Sequence, residues 1–293
     1  MCELRNRDIV PYFTDRFETL ADRYDVVLCD VWGVVHNSIV AFPEAADALA
    51  RFRQKGGTVV LITNAPRPGD VVLRQLDRLG MPRASYDGIV ASGDVTRAIV
   101  AQRGGAIYHL GPERDLPLFE GLDVAFAPIE RADFSVCSGL FNDEGETPDD
   151  YRDLLAAMRA RNLFMLCANP DLVVERGHKL LYCAGALADI YHSLGGEVLY
   201  AGKPYAPIYE EALAKAQAAL GGPVKRARVL AIGDSIRTDL KGALAFGIDC
   251  LFVTRGIHSE ELGARENPDA AALAGIFKNA GIAPTAVTHR LAW

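Results

Sequence analysis

The chain has 293 residues, half of them hydrophobic and 24 % charged, with a formal net charge of −7. That length allows one large domain or two smaller ones around a sizeable core. The acidic balance argues against nonspecific binding to nucleic acid or acidic membrane surfaces, while leaving room for a small anion in a locally positive site.

In chain order, apolar runs read as strands at Val26–Asp30, Thr58–Thr63, Gly88–Ala91, Ala106–Leu110, Phe134–Ser138, Leu163–Ala168, Glu197–Ala201, Arg228–Ile232 and Asp249–Val253. Between them, amphipathic segments read as helices at Phe42–Gln54, Val71–Leu79, Asp94–Arg103, Asp149–Ala160, Ala184–Leu194, Ala206–Leu220 and Thr238–Phe246. Pro43 sits where a first helical turn needs no amide donor. Asn64-Ala65-Pro66-Arg67-Pro68 ends the second strand, because its prolines cannot continue one. Strand-then-helix alternation predicts an α/β protein with parallel sheets and right-handed crossovers. The region from about Ala84 to Glu197 has strands and helices of its own, and is open to two readings: a second layer or an inserted domain.

No stretch approaches the ~20 apolar residues of a membrane span. The segment Met1-Cys2-Glu3-Leu4-Arg5-Asn6-Arg7 lacks the apolar core of a signal peptide, so a soluble cytoplasmic protein is expected. The six cysteines, Cys2, Cys29, Cys137, Cys167, Cys183 and Cys250, contain no C-x-x-C pair, and buried reduced thiols are expected. His109, His178, His192, His258 and His289 have no ligand spacing.

Four segments place reactive groups at strand ends. Val26–Asp30 delivers a carboxylate, followed by Trp32 and Gly33. A carboxylate there can bind a divalent cation, attack phosphorus, or merely cap a turn. Leu61-Ile62-Thr63-Asn64 ends in a hydroxyl and an amide that can donate hydrogen bonds to phosphate oxygens. Gly202-Lys203-Pro204 pins an ammonium in a turn, where it can offset the repulsion between a carboxylate nucleophile and a phosphoryl group. Leu230–Asp239 ends a strand at Gly233-Asp234 and adds a second acid, Asp239, five residues later. Hard cations such as Mg²⁺ favour such oxygen donors. Asp239 is equally readable as a first-turn acid that complements a helix dipole.

In that order the four segments resemble the motifs of the haloacid dehalogenase superfamily. The long interval between the second and third is similar to the subgroup with a large α/β cap, which includes NagD-like and p-nitrophenyl phosphatase-like proteins. Asn169-Pro170-Asp171 and Gly185-Ala186-Leu187 are similar to segments of that subgroup. The resemblance implies a Rossmann-like parallel-sheet core at about 1–83 and 198–293, with a mobile α/β cap inserted at about 84–197. It implies a Mg²⁺-dependent phosphohydrolase acting on a small phosphorylated metabolite, with neither nucleic acid nor membrane as partner. Homo-oligomers are compatible with it, since cap surfaces mediate dimers in related proteins. Residue by residue, it makes Asp30 the nucleophile that forms an aspartyl-phosphate. Thr63, Asn64 and Lys203 would bind the phosphoryl group. Asp30, the backbone carbonyl of Trp32 and Asp234 would ligate Mg²⁺, with Asp239 binding it directly or one layer out. Asn169 and Asp171 would meet the leaving group, although as a turn they need no ligand.

Trp32 is the departure. Phosphatases of this superfamily carry a second Asp there, which protonates the leaving alcohol and then activates water. An indole N–H does not titrate near neutral pH, and general acid–base catalysis is typically worth about 10²–10⁴ in rate. Three readings stay open. Another group, such as His36, replaces the acid. Alternatively, the substrate is an aryl or acyl phosphate whose leaving group needs little protonation. In the third reading it is a phosphometabolite-binding or regulatory protein with weak or no turnover. A phospho-receiver domain is disfavoured by the length and the inserted region, and a P-loop ATPase by the absence of G-x-x-x-x-G-K-[ST].

Overall fold

A computed structural model describes residues 12–37, 39–176, 179–256 and 270–293. Cys2, His178 and His258 lie outside them. One sheet has seven strands, in the order β1 (Tyr12–Phe13), β14 (Ala286–Thr288), β13 (Asp249–Val253), β12 (Val229–Gly233), β2 (Val26–Asp30), β3 (Thr58–Thr63) and β4 (Gly88–Ala91). All its pairings are parallel. A second parallel sheet has the order β11 (Val198–Tyr200), β8 (Phe164–Cys167), β7 (Phe134–Cys137), β5 (Ala106–Leu110) and β6 (Ala125–Phe126). An antiparallel hairpin joins β9 (Val173–Arg176) to β10 (Lys179–Tyr182).

Every residue of β2 and β3 is buried. Continuous apolar runs, rather than alternating ones, are what a sheet covered on both faces requires. Val27 and Cys29 face one apolar cluster, with Ala45, Leu49 and Phe52 of helix α2 (Pro43–Gln54) and Val72 and Leu76 of α3 (Gly69–Arg78). Short α1 (Glu18–Ala21) closes the same side through Leu20 and Ala21. Val26 and Leu28 face the other cluster, with Ile208 and Ala212 of α7 (Ala206–Leu220) and Ala243 and Phe246 of α8 (Lys241–Phe246). That second cluster continues through Val95 and Val100 of α4 (Ser92–Arg103) into Ile107, Phe134, Val136 and Leu166 of the smaller sheet. The opposite face of the smaller sheet packs on Leu155 of α5 (Arg152–Ala160) and Leu187 of α6 (Ala184–Ser193). Helix α9 (Ala270–Ala280) adds Leu273 and Phe277 to the shared cluster.

From β2 the chain steps outward to β3 and β4, and from β12 it steps the other way to β13 and β14. The strand order therefore reverses between β2 and β12. Such a switch point leaves a crevice at the carboxyl ends of the strands, where open α/β sheets bind ligands.

Sheet membership departs from the sequence division at 83/84 and 197/198 in two places. β4 pairs with β3 and so lies in the large sheet, while β11 pairs with β8 in the smaller one. The helix expected over Thr238–Phe246 starts instead as a π turn, Ile236–Leu240, and becomes α-helical only at Lys241. Cys29, Cys137, Cys167, Cys183 and Cys250 are buried and form no disulfide among the described residues. No helix among the described residues is long and apolar enough to cross a membrane.

Candidate active site

Asp30 ends β2 and Asp234 follows β12, so the switch point itself brings two carboxylates together. The π turn supplies a third. Leu240 N–H bonds to the Ser235 carbonyl one residue beyond α-helical spacing, at 3.0 Å, and Ser235 N–H donates to Asp239 Oδ2 at 3.2 Å. Single π turns inside helices are often found at functional sites. One donor oxygen each of Asp30, Asp234 and Asp239 lies within 4.8 Å of the others.

Lys203 sits among them, only 2 % exposed. Its ammonium donates to Asp30 Oδ1 at 2.5 Å and to Asp239 Oδ1 at 2.6 Å. Burial alone would lower the Lys203 pKa, but the Asp239 and Asp30 carboxylates outweigh it and hold the group well above its ordinary value. Burial raises Asp30 well above the ordinary carboxylate range, and Asp239 adds to the effect against the pull of Lys203. Among these four groups the formal charges sum to −2, three carboxylates against one ammonium.

The backbone of Lys203 is fixed from β3. Asn64 Oδ1 accepts from Lys203 N–H at 2.7 Å, and Asn64 Nδ2 donates to the Lys203 carbonyl at 3.1 Å. The same Nδ2 donates to Asp171 Oδ1 at 2.9 Å. The Asn64 side chain is thus committed to Lys203 and Asp171, where the sequence reading gave it to a phosphate. Gly202 permits this crowding: a Cβ there would lie 2.4 Å from Asn64 Oδ1 and 2.8 Å from Pro170 Cδ. Thr63 is buried beside it, and its Oγ1 accepts from Ala65 N–H at 3.3 Å, so its own O–H remains a donor.

After Asp30 the chain turns tightly. Gly33 has φ +78° and donates to the His36 carbonyl at 2.9 Å. A Cβ at Gly33 would come within 2.1 Å of Asp234 Oδ2, so only glycine fits. Trp32 packs edge-on against His36, with ring centroids 5.4 Å apart. His36 is buried, which pushes its pKa down to about 4. Burial thus favours its neutral form near pH 7.

Two chambers meet at this site. The inner one, of about 240 Å³, is lined by Asp30, Lys203, Asp234, Asp239, Thr63 and Asn64 among others. The outer one, of about 540 Å³, lies towards the smaller sheet. Arg67, Arg114, Asp115, Ser138, Asp143 and Asn169 contribute to its wall. Arg67 Nε lies 3.4 Å from buried Asp115, and Arg114 pairs with Asp143. Burial raises the Asp115 pKa, although Arg67 and Arg114 oppose it. Ser138 Oγ is 2.9 Å from His109 Nε2. Asn169 Oδ1 accepts from Asp171 N–H at 3.1 Å, so it shapes the turn that presents Asp171.

Sequence reasoning passed over Arg114, Asp115 and Ser138. A signal existed: Leu110-Gly111-Pro112 and Cys137-Ser138-Gly139 are strand ends of the second sheet, and the rule applied to the first sheet applies there too.

The chain matches known proteins over most of its length. A model of haloacid dehalogenase-like hydrolases matches residues 27–125, and a HAD-hydrolase-like model matches residues 200–279. The chain is 46 % identical to a hydrolase of the haloacid dehalogenase-like family from Brucella suis 1330 of known crystal structure. That match covers 95 % of this chain and all of the other, with a TM-score of 0.85. It is 28 % identical over 243 residues to the ribonucleotide monophosphatase NagD of Escherichia coli K12, covering 80 % of this chain and 88 % of the relative. It is 27 % identical over 249 residues to the D-glycerol 3-phosphate phosphatase of Mycobacterium tuberculosis, covering 83 % of this chain and 66 % of the relative.

Proposed function

This chain belongs to the haloacid dehalogenase-like hydrolases and acts on phosphate monoesters; on that premise we propose a Mg²⁺-dependent phosphatase that works through an aspartyl-phosphate on Asp30. The observation that carries the reading is the buried Lys203 ammonium held between Asp30 and Asp239. An ammonium, a nucleophilic carboxylate and further carboxylates together make a site for a phosphoryl group and a cation.

The donor set fits Mg²⁺. Three hard carboxylate oxygens converge, and a dication offsets the net −2 of the cluster. Gly33 and Gly256 keep the flank of Asp234 open, where a Cβ would lie 2.1 and 1.7 Å from Oδ2. Asp30, Asp234, Asp239 and the Trp32 carbonyl are the proposed ligands. When bound, the ion neutralises charge on the phosphoryl oxygens.

The protein's own groups do the rest. Asp30 attacks phosphorus, and the P–O bond to the leaving group breaks. Two Lys203 protons serve Asp30 and Asp239, and the third is available to a phosphoryl oxygen. The Thr63 O–H and the Asn64 backbone N–H are further proposed donors to the phosphoryl group. The inner chamber takes that group, and the outer chamber takes the organic part of a small phosphorylated metabolite. The smaller sheet and its helices form the proposed cap, which limits water at the reacting centre.

The test is phosphate release from a panel of phosphorylated metabolites, with Mg²⁺ or chelator, beside Asp30→Asn. The named relatives bring a ribonucleoside monophosphate and glycerol 3-phosphate into the panel, and Trp32 brings an aryl and an acyl phosphate. Mg²⁺-dependent release that disappears in Asp30→Asn is expected. Tight binding of phosphorylated ligands with no release by the wild type would replace the enzyme reading with a phosphometabolite-binding one, which Trp32 favours.

A further inference from the structure

A phosphate ester held with its phosphoryl group in the inner chamber and its organic part in the outer one has its scissile P–O bond in the neck between them. Five described residues line both chambers: Trp32, Ile39, Thr63, Asp171 and Val174. Asp171 alone among them titrates. Trp32 lines the same neck, so position 32 and the Asp171 carboxyl group border the same space.

We propose that Asp171 is the general acid–base of this enzyme, contributed from across the cleft in place of a carboxylate at position 32. The proposal rests on the phosphoryl-transfer reading above. In the first half-reaction Asp30 oxygen forms a bond to phosphorus, the P–O bond to the leaving group breaks, and the Asp171 carboxyl proton passes to the leaving oxygen. In the second, the Asp171 carboxylate takes a proton from water as that water's oxygen attacks the aspartyl-phosphate. The bond from phosphorus to Asp30 breaks, and both carboxyl groups return to their starting states with inorganic phosphate as product.

The surroundings hold Asp171 ready for both roles. Asn64 Nδ2 fixes Oδ1 at 2.9 Å, and the Asn169 side chain fixes the Asp171 backbone N–H. Gly185 lets the turn sit close to α6, since a Cβ there would lie 2.5 Å from the Asp171 carbonyl oxygen. Burial raises the Asp171 pKa from its ordinary value, and Asp239 works in the same direction. Lys203, Asn64 and Arg237 oppose it without reversing it. A carboxyl group with a raised pKa keeps a proton to donate nearer neutral pH. The competing groups are engaged elsewhere. Burial favours the neutral form of His36, and Asp115 and Asp143 pair with Arg67 and Arg114 on the outer wall.

The experiment compares wild type and Asp171→Asn on phosphate esters of graded leaving-group basicity, from p-nitrophenyl phosphate to an alkyl phosphate, with Mg²⁺ and across pH. A general acid predicts a loss of about 10²–10⁴ on the alkyl ester and a much smaller loss on p-nitrophenyl phosphate. It also predicts that the basic limb of the kcat/KM profile disappears in the variant. Trp32→Asp should raise alkyl-ester turnover far more in the Asp171→Asn background than in the wild type, because the two positions then substitute for each other. Inhibition by orthovanadate should persist in Asp171→Asn, since Asp30, Lys203, Asp234 and Asp239 of the inner chamber are untouched. Equal losses on all esters with the basic limb retained would overturn the proposal and leave Asp171 a positioning residue. Absence of turnover by the wild type across the whole series would instead overturn the phosphatase reading, and this inference with it.

Discussion

At residue scale, one ammonium holds two buried carboxylates apart, and the cost of losing it is predictable. Lys203→Met leaves Asp30 and Asp239 without their shared partner. Breaking a buried ion pair from one side costs about 3–5 kcal/mol. Urea unfolding in chelator should register that loss, and turnover should vanish. Mg²⁺ should restore part of the stability, because a ligand of the folded state stabilises by mass action. Asp30→Asn should behave differently. It leaves Lys203 paired with Asp239, so the fold should be retained while phosphate release is abolished. Much of this residue set was legible in the chain, because Asp30, Thr63 and Asp234 end apolar runs and a parallel sheet puts those ends on one edge. The bonds of Asn64 were not. Its partners lie 107 and 139 residues away, and local sequence carries no record of such pairings.

Among the elements, several strands follow the apolar runs of the sequence residue for residue. Val26–Asp30, Thr58–Thr63, Gly88–Ala91, Ala106–Leu110 and Asp249–Val253 occupy the ranges the apolar runs predict. The hairpin of β9 and β10 was missed because it is short and charged, and Leu180 points to solvent at 63 % exposure. The π turn was missed because its signal is one extra residue in the first turn, which hydrophobic spacing does not register. Both matter to the site, since Val173 and Val174 line the inner chamber and the π turn carries Asp239. The turn between β11 and α7 is closely packed. Gly202→Ala would push a Cβ into Asn64 and Pro170. Overpacking of this kind costs about 1–3 kcal/mol. A lowered melting temperature together with reduced turnover should follow, while Gly222→Ala, with open space at its Cβ, should leave both unchanged.

On the scale of the whole molecule, two parallel sheets divide the labour of the site. The larger supplies Asp30, Thr63, Asn64 and Asp234, while the loop after β11 brings Lys203, and the segment after β8 brings Asp171. Arg67–Asp115 and Arg237–Asp189 also join the two halves, at 3.4 and 2.5 Å. The half-exposed Arg237 pair contributes at most about 1 kcal/mol. The apolar cluster that passes through α4 from one sheet to the other is the stronger tie. A chain of this length with two sheets would ordinarily unfold in steps. A shared core predicts one calorimetric transition, with Mg²⁺ raising its midpoint. Two resolved transitions would contradict it.

That shared cluster also bears on how such a protein can change over generations. Interrupted chains are often treated as cassettes, in which the inserted unit is exchanged and the host persists. Here Ile107, Leu118, Phe134, Val136 and Leu166 belong to the same packed body as Val26, Leu28, Ile208 and Ala212. Removing the insertion would uncover oil on the surviving half, and a graft would have to match that surface as well as the two cut ends. New specificities are therefore more accessible through the walls of the outer chamber than through wholesale replacement of the unit that carries them.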